Sequence, residues 1–216
     1  MKKRIQSSNE EIANYLTHGL GIVFSLVAVP MLILYAWHAA NVAMIWGVSI
    51  FGFGMLMVYC SSTFYHRARN AETKRLLQIW DHISIFLMIA GSYTPLVIKY
   101  TDFKTSVIFL SIMWTVVAIG SLMKIFFTGK YNILSVIIYL IMGWMALFII
   151  KPIVSNMPPH VLYLIITAGL AYTLGVVFYL WHKLQYHHAI WHVFVLTGTV
   201  AHFFAVYNSI PININL

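Results

Sequence analysis

Charge is what this chain has least of. Asp, Glu, Lys and Arg together make 8% of its 216 residues, against 61% hydrophobic residues. An average soluble domain is about a quarter charged, and the mean hydropathy here is +0.85. A water-soluble surface is excluded. Cysteine is almost missing too: Cys60 stands alone, which excludes an internal disulfide and any cysteine-built zinc motif. The ten histidines are then the natural metal ligands. Met1-Lys2-Lys3-Arg4 leads into a polar stretch, Gln6 to Glu11, rather than into an apolar core with a small-residue cleavage site, so no cleaved signal peptide is expected. Internal repeats and low-complexity tracts are absent.

What is present is apolar sequence in membrane-sized lengths. A crossing helix needs roughly 20 apolar residues, which allows at most about seven to eight spans and no separate soluble domain. No charged residue occurs from Ile12 to His66, a run of 55 broken weakly at His38-Ala39-Ala40-Asn41. Two spans follow, near 16–37 and 42–64. Charge-free runs at 82–98, 105–123 and 131–150 centre three more, near 78–98, 104–124 and 131–151. Pro152 and Pro158-Pro159 disfavour continued helix, so a sixth span is expected from His160 to Trp181 and a seventh from His188 to Tyr207. The expected fold is an all-α integral membrane bundle of seven helices over 16–210, preceded by a short cytoplasmic segment, 1–15, and followed by an outer tail, 211–216.

Positive loops remain in the cytoplasm. With the N-terminus inside, the inner segments hold ten basic residues: Lys2, Lys3, Arg4, Arg67, Arg69, Lys74, Arg75, Lys124, Lys130 and Lys183. The outer loops hold Lys99, Lys104 and Lys151 alone. The N-terminus is therefore expected to be cytoplasmic and the C-terminus outside. Trp37, Trp46, Trp80, Tyr100 and Trp181 fall near span ends, as an aromatic belt requires. The net charge of +8 belongs to this topology and not to a nucleic-acid face, because the basic residues sit in separate short loops. No nucleic-acid partner is expected. The partner is membrane lipid, and Arg67 to Arg75 could attract anionic headgroups, although positive-inside anchoring explains that loop equally well.

With topology in place, polar residues can be assigned a depth. His66 ends the second span, Asp81 begins the third, and His188 and His192 begin the seventh, so all four lie at the cytoplasmic end. His188 and His192, at i and i+4, share a helical face and can reach one ion, with His66 as a third donor. Three protein ligands with one open position suit catalytic zinc, with Asp81 binding or orienting the water as general base. Ser62, one turn deeper than His66, could steady an oxyanion; its other reading is a bond to the carbonyl of Val58. An i,i+4 histidine pair alone is a weak signal, since interface histidines near helix ends are common. Three histidines and an aspartate at one depth are a stronger one.

The other histidines rank lower. His18 shares the depth and either lines the site or meets headgroups. His82 and His187 point about 100° away from Asp81 and His188. His202 lies about 15 Å deeper than His192, too far for the same ion, and reads as an interhelical residue. The methionines and Gly52-Phe53-Gly54 read as packing features.

The segments Glu11-Ile-Ala-Asn14-Tyr-Leu-Thr17-His18-Gly19, Ser61-Ser62-Thr-Phe-Tyr-His66, Asp81-His82-Ile-Ser84, Ala90-Gly91-Ser92-Tyr93-Thr94-Pro95 and His188-Ala-Ile-Trp-His192, with His202-Phe203-Phe204, together resemble the bacterial hemolysin III family, within the progestin and adipoQ receptors. The resemblance runs from Glu11 to about Tyr207. It implies seven helices with a cytoplasmic N-terminus in a bacterial inner membrane, zinc on histidines matching His66, His188 and His192, and an aspartate matching Asp81 that reaches the metal through water. Ser62 matches the serine of the family's Ser-x-x-x-His motif. The receptor branch is similar to alkaline ceramidases, which implies hydrolysis of a lipid amide or ester; the hemolysin name implies membrane lysis by a pore. A sensor or receptor with structural zinc is the third reading. The long soluble N-terminal region of the adipokine receptors is missing, so hormone binding is not expected.

Overall fold

The structure, a computed structural model, describes residues 6–210. The outer tail expected at 211–216 lies outside the described residues, as do Lys2, Lys3 and Arg4. The described residues form eight α-helices and no strand: α1 (Ser8–His38), α2 (Val42–Arg67), α3 (Ala71–Tyr100), α4 (Phe103–Phe127), α5 (Asn132–Gly143), α6 (Ile150–Asn156), α7 (Pro159–Leu180) and α8 (His187–Tyr207). A 3-10 helix, Met145–Ile149, joins α5 to α6, and these three pieces act as one crossing length, so the protein has seven membrane-spanning segments.

Two helices begin earlier than hydrophobicity suggests, because caps rather than apolar residues start them. Helix α1 begins at Ser8 instead of 16. Glu10 N–H donates to Ser7 Oγ at 3.3 Å and Ser7 N–H to Glu10 Oε2 at 2.8 Å, a reciprocal pair that satisfies two otherwise orphaned donors. Most of the segment expected as a short cytoplasmic lead is therefore helix. Helix α3 begins at Ala71 instead of 78, with Asn70 Oδ1 accepting from Glu72 and Thr73 N–H at 3.0 and 3.1 Å. At the outer end Asp102 caps α4; the Thr105 hydroxyl at 2.5 Å and its N–H at 3.0 Å hold the Asp102 carboxyl below its usual range.

The fifth span is broken rather than continuous. Pro152 has no N–H to donate and its ring excludes the carbonyl one turn earlier, so the chain tightens into the 3-10 turn before it. In hydrocarbon the freed backbone groups need partners. Tyr93 of α3 supplies them: its hydroxyl donates to the Gly143 carbonyl at 2.6 Å and accepts from Ala146 N–H at 3.2 Å.

The helices close into a ring. Contacts run α1–α2–α3–α5–α7–α8 and back to α1, with α4 packed on α3. The closest seam is between α2 and α3, where a Cβ on Gly54 would meet the Leu87 carbonyl oxygen at 3.0 Å and one on Gly91 the Ile50 carbonyl oxygen at 3.0 Å. Only glycine permits that approach. Side chains sort as lipid demands. On α1, Leu16, Leu20, Val23, Leu26 and Val27 face outward, while Glu10, Asn14, His18 and Ser25 are buried. This polar inner stripe repeats every three to four residues, one helical face.

Candidate metal centre

The cytoplasmic ends of α1, α2 and α8 converge. His66 of α2 and His188 and His192 of α8 each offer one ring nitrogen, and the three nitrogens all lie within 4.8 Å of one another. Ring centroids are separated by 4.9 Å for His66–His188, 5.2 Å for His66–His192 and 4.5 Å for His188–His192. The donors chosen from sequence depth are thus brought together, and they could hold a metal ion.

Helix α1 orients two of them. Glu11 Oε2 lies 2.6 Å from His66 Nδ1. A carboxylate only accepts, so Nδ1 carries the proton and the lone pair is on Nε2. That Nε2 is buried and has no hydrogen-bond partner among the described residues, a state that costs about 1–3 kcal/mol unless something binds there. His192 follows the same logic. Its Nδ1 lies 3.1 Å from the Asn14 carbonyl and 3.2 Å from Thr17 Oγ1, so Nδ1–H donates to α1 and Nε2 is free to ligate. A metal site that presents ring nitrogens needs such outer partners to hold tautomer and orientation. The orphaned buried nitrogen and the all-imidazole donor set fit a bound metal.

Glu11 does a second thing. Its other oxygen accepts from Lys74 Nζ of α3 at 2.7 Å, so one carboxylate ties α1 to both α2 and α3. Glu10 Oε1 accepts from Tyr186 N–H at 2.9 Å, which fastens α1 to the turn that starts α8. Tyr186 has φ +56, a left-handed residue that aims the His187-His188 pair back into the bundle. Glu11, Asn14 and Thr17 had no assigned role in the reading by depth. Their signal was their spacing of three on a membrane helix, where polar residues are costly.

Asp81 lies beside the histidine cluster and not within it. It is outside the group of mutually close donors but on the wall of the same cavity, with Oδ2 3.9 Å from His82 Nδ1. The backbone at Asp81 is held by Ser84, whose hydroxyl donates to the Asp81 carbonyl at 2.7 Å. Ser62 is buried, lines the cavity and has no hydrogen-bond partner on its Oγ among the described residues. The Val58 bond considered for it is not made; its neighbour Ser61 takes the backbone, donating to Met57 O at 2.6 Å.

The remaining histidines separate clearly. His18 is buried and stacks on His192, with centroids 3.5 Å apart and planes at 23°, so it walls the site from the α1 side. His82 Nδ1–H donates to the Gln78 carbonyl at 2.6 Å. His187 Nδ1 lies 3.1 Å from the Phe178 carbonyl and ties α8 to α7. His202 sits deeper, with its ring centroid 5.9 Å from that of Phe51.

Inward from the histidines opens a cavity of about 500 Å³, within the 300–1,000 Å³ typical of small-molecule sites. It is lined by His18, Ser62, Asp81, Tyr139, Tyr179 and His192, one from each of six helices. It also reaches Val97 and Met157. From Asp81 to Val97 along α3 is about 24 Å, most of the hydrocarbon thickness.

The family described as Haemolysin-III related matches residues 6–203. The chain belongs to the haemolysin III family. A relative named Hemolysin-3 homolog, of Bacillus subtilis (strain 168), is 40% identical over 200 residues, which cover 91% of this chain and 92% of the relative. Hemolysin-3 of Bacillus cereus is 36% identical over 206 residues, covering 95% and 94%. The human Monocyte to macrophage differentiation factor is 25% identical over 204 residues, covering 92% and 83%. Family membership and the seven apolar helices agree on a multi-pass bacterial membrane protein.

Proposed function

We propose that this haemolysin III protein is a zinc-dependent membrane hydrolase acting on a lipid amide or ester. The observation that carries the reading is the meeting of three imidazole nitrogens at one end of a lipid-sized cavity, with Asp81 and an unpartnered Ser62 hydroxyl on the same walls. His66, His188 and His192 would hold the zinc. Bound there, the ion supplies Lewis acidity toward a carbonyl oxygen and toward water. The chain's own residues do the rest. The cavity takes the acyl chain and excludes bulk water. Asp81 accepts a proton from the attacking water as general base and returns it to the leaving amine or alcohol as the acyl C–N or C–O bond breaks. Ser62 donates its hydroxyl proton to the oxygen on which charge develops, a group worth about 3 kcal/mol when pre-aligned. Glu11, Asn14 and Thr17 keep the histidines in register and take no part in proton transfer.

Purified protein is expected to contain one zinc per chain and to turn over members of a ceramide and phospholipid panel. His188→Ala and Asp81→Asn are each expected to lower turnover at least about a hundredfold. Full turnover by metal-free protein sinks the reading.

A second reading is favoured by the bonds of the site: zinc only braces α1, α2 and α8, which its ligands and their partners join. The protein would then be a sensor of the bilayer or, as the relatives' names suggest for them, a haemolysin. Under that reading Asp81→Asn leaves function intact, while loss of a ligand destabilises the fold.

A further inference from the structure

The charge count places Lys124 among the cytoplasmic loop residues, but the structure turns it inward. Of the described lysines and arginines it alone is buried, with 1% of its surface exposed. It sits in the last turn of α4 and lines the same cavity as the histidines. No ion pair involves it among the described residues. The described acids are committed or distant: Glu10 to Tyr186, Glu11 to His66 and Lys74, Glu72 in the exposed first turn of α3, and Asp102 at the outer end. Asp81 lies next to His82 and makes no ion pair with Lys124. Asn132, in the first turn of α5, lines the same cavity, and its Oδ1 is buried with no hydrogen-bond partner among the described residues.

A lone ammonium taken out of water is costly, and proteins meet that cost by pairing it. Here no side chain does so. The counter-charge has to come from what fills the cavity, and most of the cavity's other walls, such as Ile85, Met88, Val136, Leu140 and Ile165, are apolar. A small inorganic anion leaves those walls facing water. An amphiphile satisfies both ends at once.

We propose that Lys124, with the Asn132 amide as its neutral companion, is the binding subsite for the anionic oxygen of a single-chain lipid whose tail occupies the apolar part of the cavity. The subsite is on the α4–α5 side, apart from the histidine cluster. It rests on the reading of the cavity as a lipid chamber, and it requires no turnover. Asn132 contributes either amide atom: Nδ2 donates to the anion, or, with the amide turned over, Oδ1 accepts from a neighbouring lipid hydroxyl.

The test uses full-length protein in nanodiscs of neutral phosphatidylcholine and two fluorescent probes, a pyrene-labelled alkyl phosphate and the uncharged alcohol of the same chain. Wild-type protein is expected to bind the phosphate about tenfold tighter, equivalent to about 1.4 kcal/mol. Lys124→Met is expected to abolish that preference while leaving alcohol affinity unchanged, and Lys124→Arg to retain it. His188→Ala, which removes a metal ligand, is expected to keep it, so that failure of the zinc reading and failure of this one are told apart. Equal affinity of wild type for the two probes overturns the proposal, as does a preference that survives Lys124→Met or one lost only in His188→Ala. Excess inorganic phosphate is expected not to displace the alkyl phosphate; displacement assigns the subsite to free phosphate and overturns the lipid assignment. Should Lys124→Met fail to fold, the wild-type comparison decides alone.

Discussion

At the residue scale, the chemistry of the site turns on which nitrogen of each imidazole carries a proton. Glu11 answers this for His66 and the Asn14 carbonyl answers it for His192. Both answers come from α1, a helix that contributes no ligand. Glu11→Gln is expected to weaken metal binding by about 10–100-fold, because an amide turned either way is a poorer acceptor than a carboxylate and leaves Lys74 without its partner. Competition with a metal-sensitive chelator checks this, and an unchanged dissociation constant contradicts the assigned role. The histidine cluster itself was legible in sequence because His66, His188 and His192 stand at one depth, where an unneeded imidazole is costly. Glu11 was visible as part of a motif, but nothing in a one-dimensional reading shows that residue 11 touches residue 66.

At the scale of elements, the broken fifth span is the clearest case of a local conflict resolved by a distant partner. Composition marks 131–150 as one uninterrupted apolar run, and Pro152 marks where helix should falter. What supports the break inside a membrane is the Tyr93 hydroxyl from α3, bonded to Gly143 and Ala146 where α5 gives way to the 3-10 helix. Tyr93→Phe removes two hydrogen bonds from backbone groups of a membrane-spanning segment, where water cannot replace them, and is expected to cost about 1–3 kcal/mol of stability. Thermal unfolding in detergent measures it, and a melting curve identical to wild type refutes the role given to Tyr93. Helix starts also belong to this scale. Ser7 and Asn70 were readable as capping residue types, yet the early starts of α1 and α3 were hidden because the turns they add are polar and carry no hydrophobic signal.

At the scale of the whole molecule, the ring of helices leaves its centre open, and the site sits where the ring is pinned. The His66 and His192 ligands and their hydrogen-bond partners join α1, α2 and α8, and Glu11 extends the connection to α3 through Lys74. Anything that binds the folded state at this point stabilises it by mass action, about 2.7 kcal/mol when the ligand is a hundredfold above its dissociation constant. Removing the metal with a chelator is therefore expected to lower the unfolding temperature, and adding zinc back to restore it. The same treatment of a His66→Ala, His192→Ala variant is expected to shift nothing. A wild-type melting temperature indifferent to chelation would show that no structural ion is bound at this point.

The sequence alone determined the number of spans and which polar residues share one end of them, because the bilayer imposes a length on every helix and a cost on every buried charge. Those constraints act one segment at a time and need no knowledge of neighbours. Azimuth is different. Which way a residue faces inside the ring depends on how seven helices pack against one another, and packing is set by contacts such as Gly54 and Gly91 at the α2–α3 seam. Only the tertiary structure could place Asp81 beside the histidine cluster and not in it, leave the Ser62 hydroxyl open while Ser61 takes the backbone, and turn Lys124 from a loop charge into a buried one. The three clustered histidines declared themselves by depth, but their orientation by α1 and the cavity they face exist only once the ring is closed.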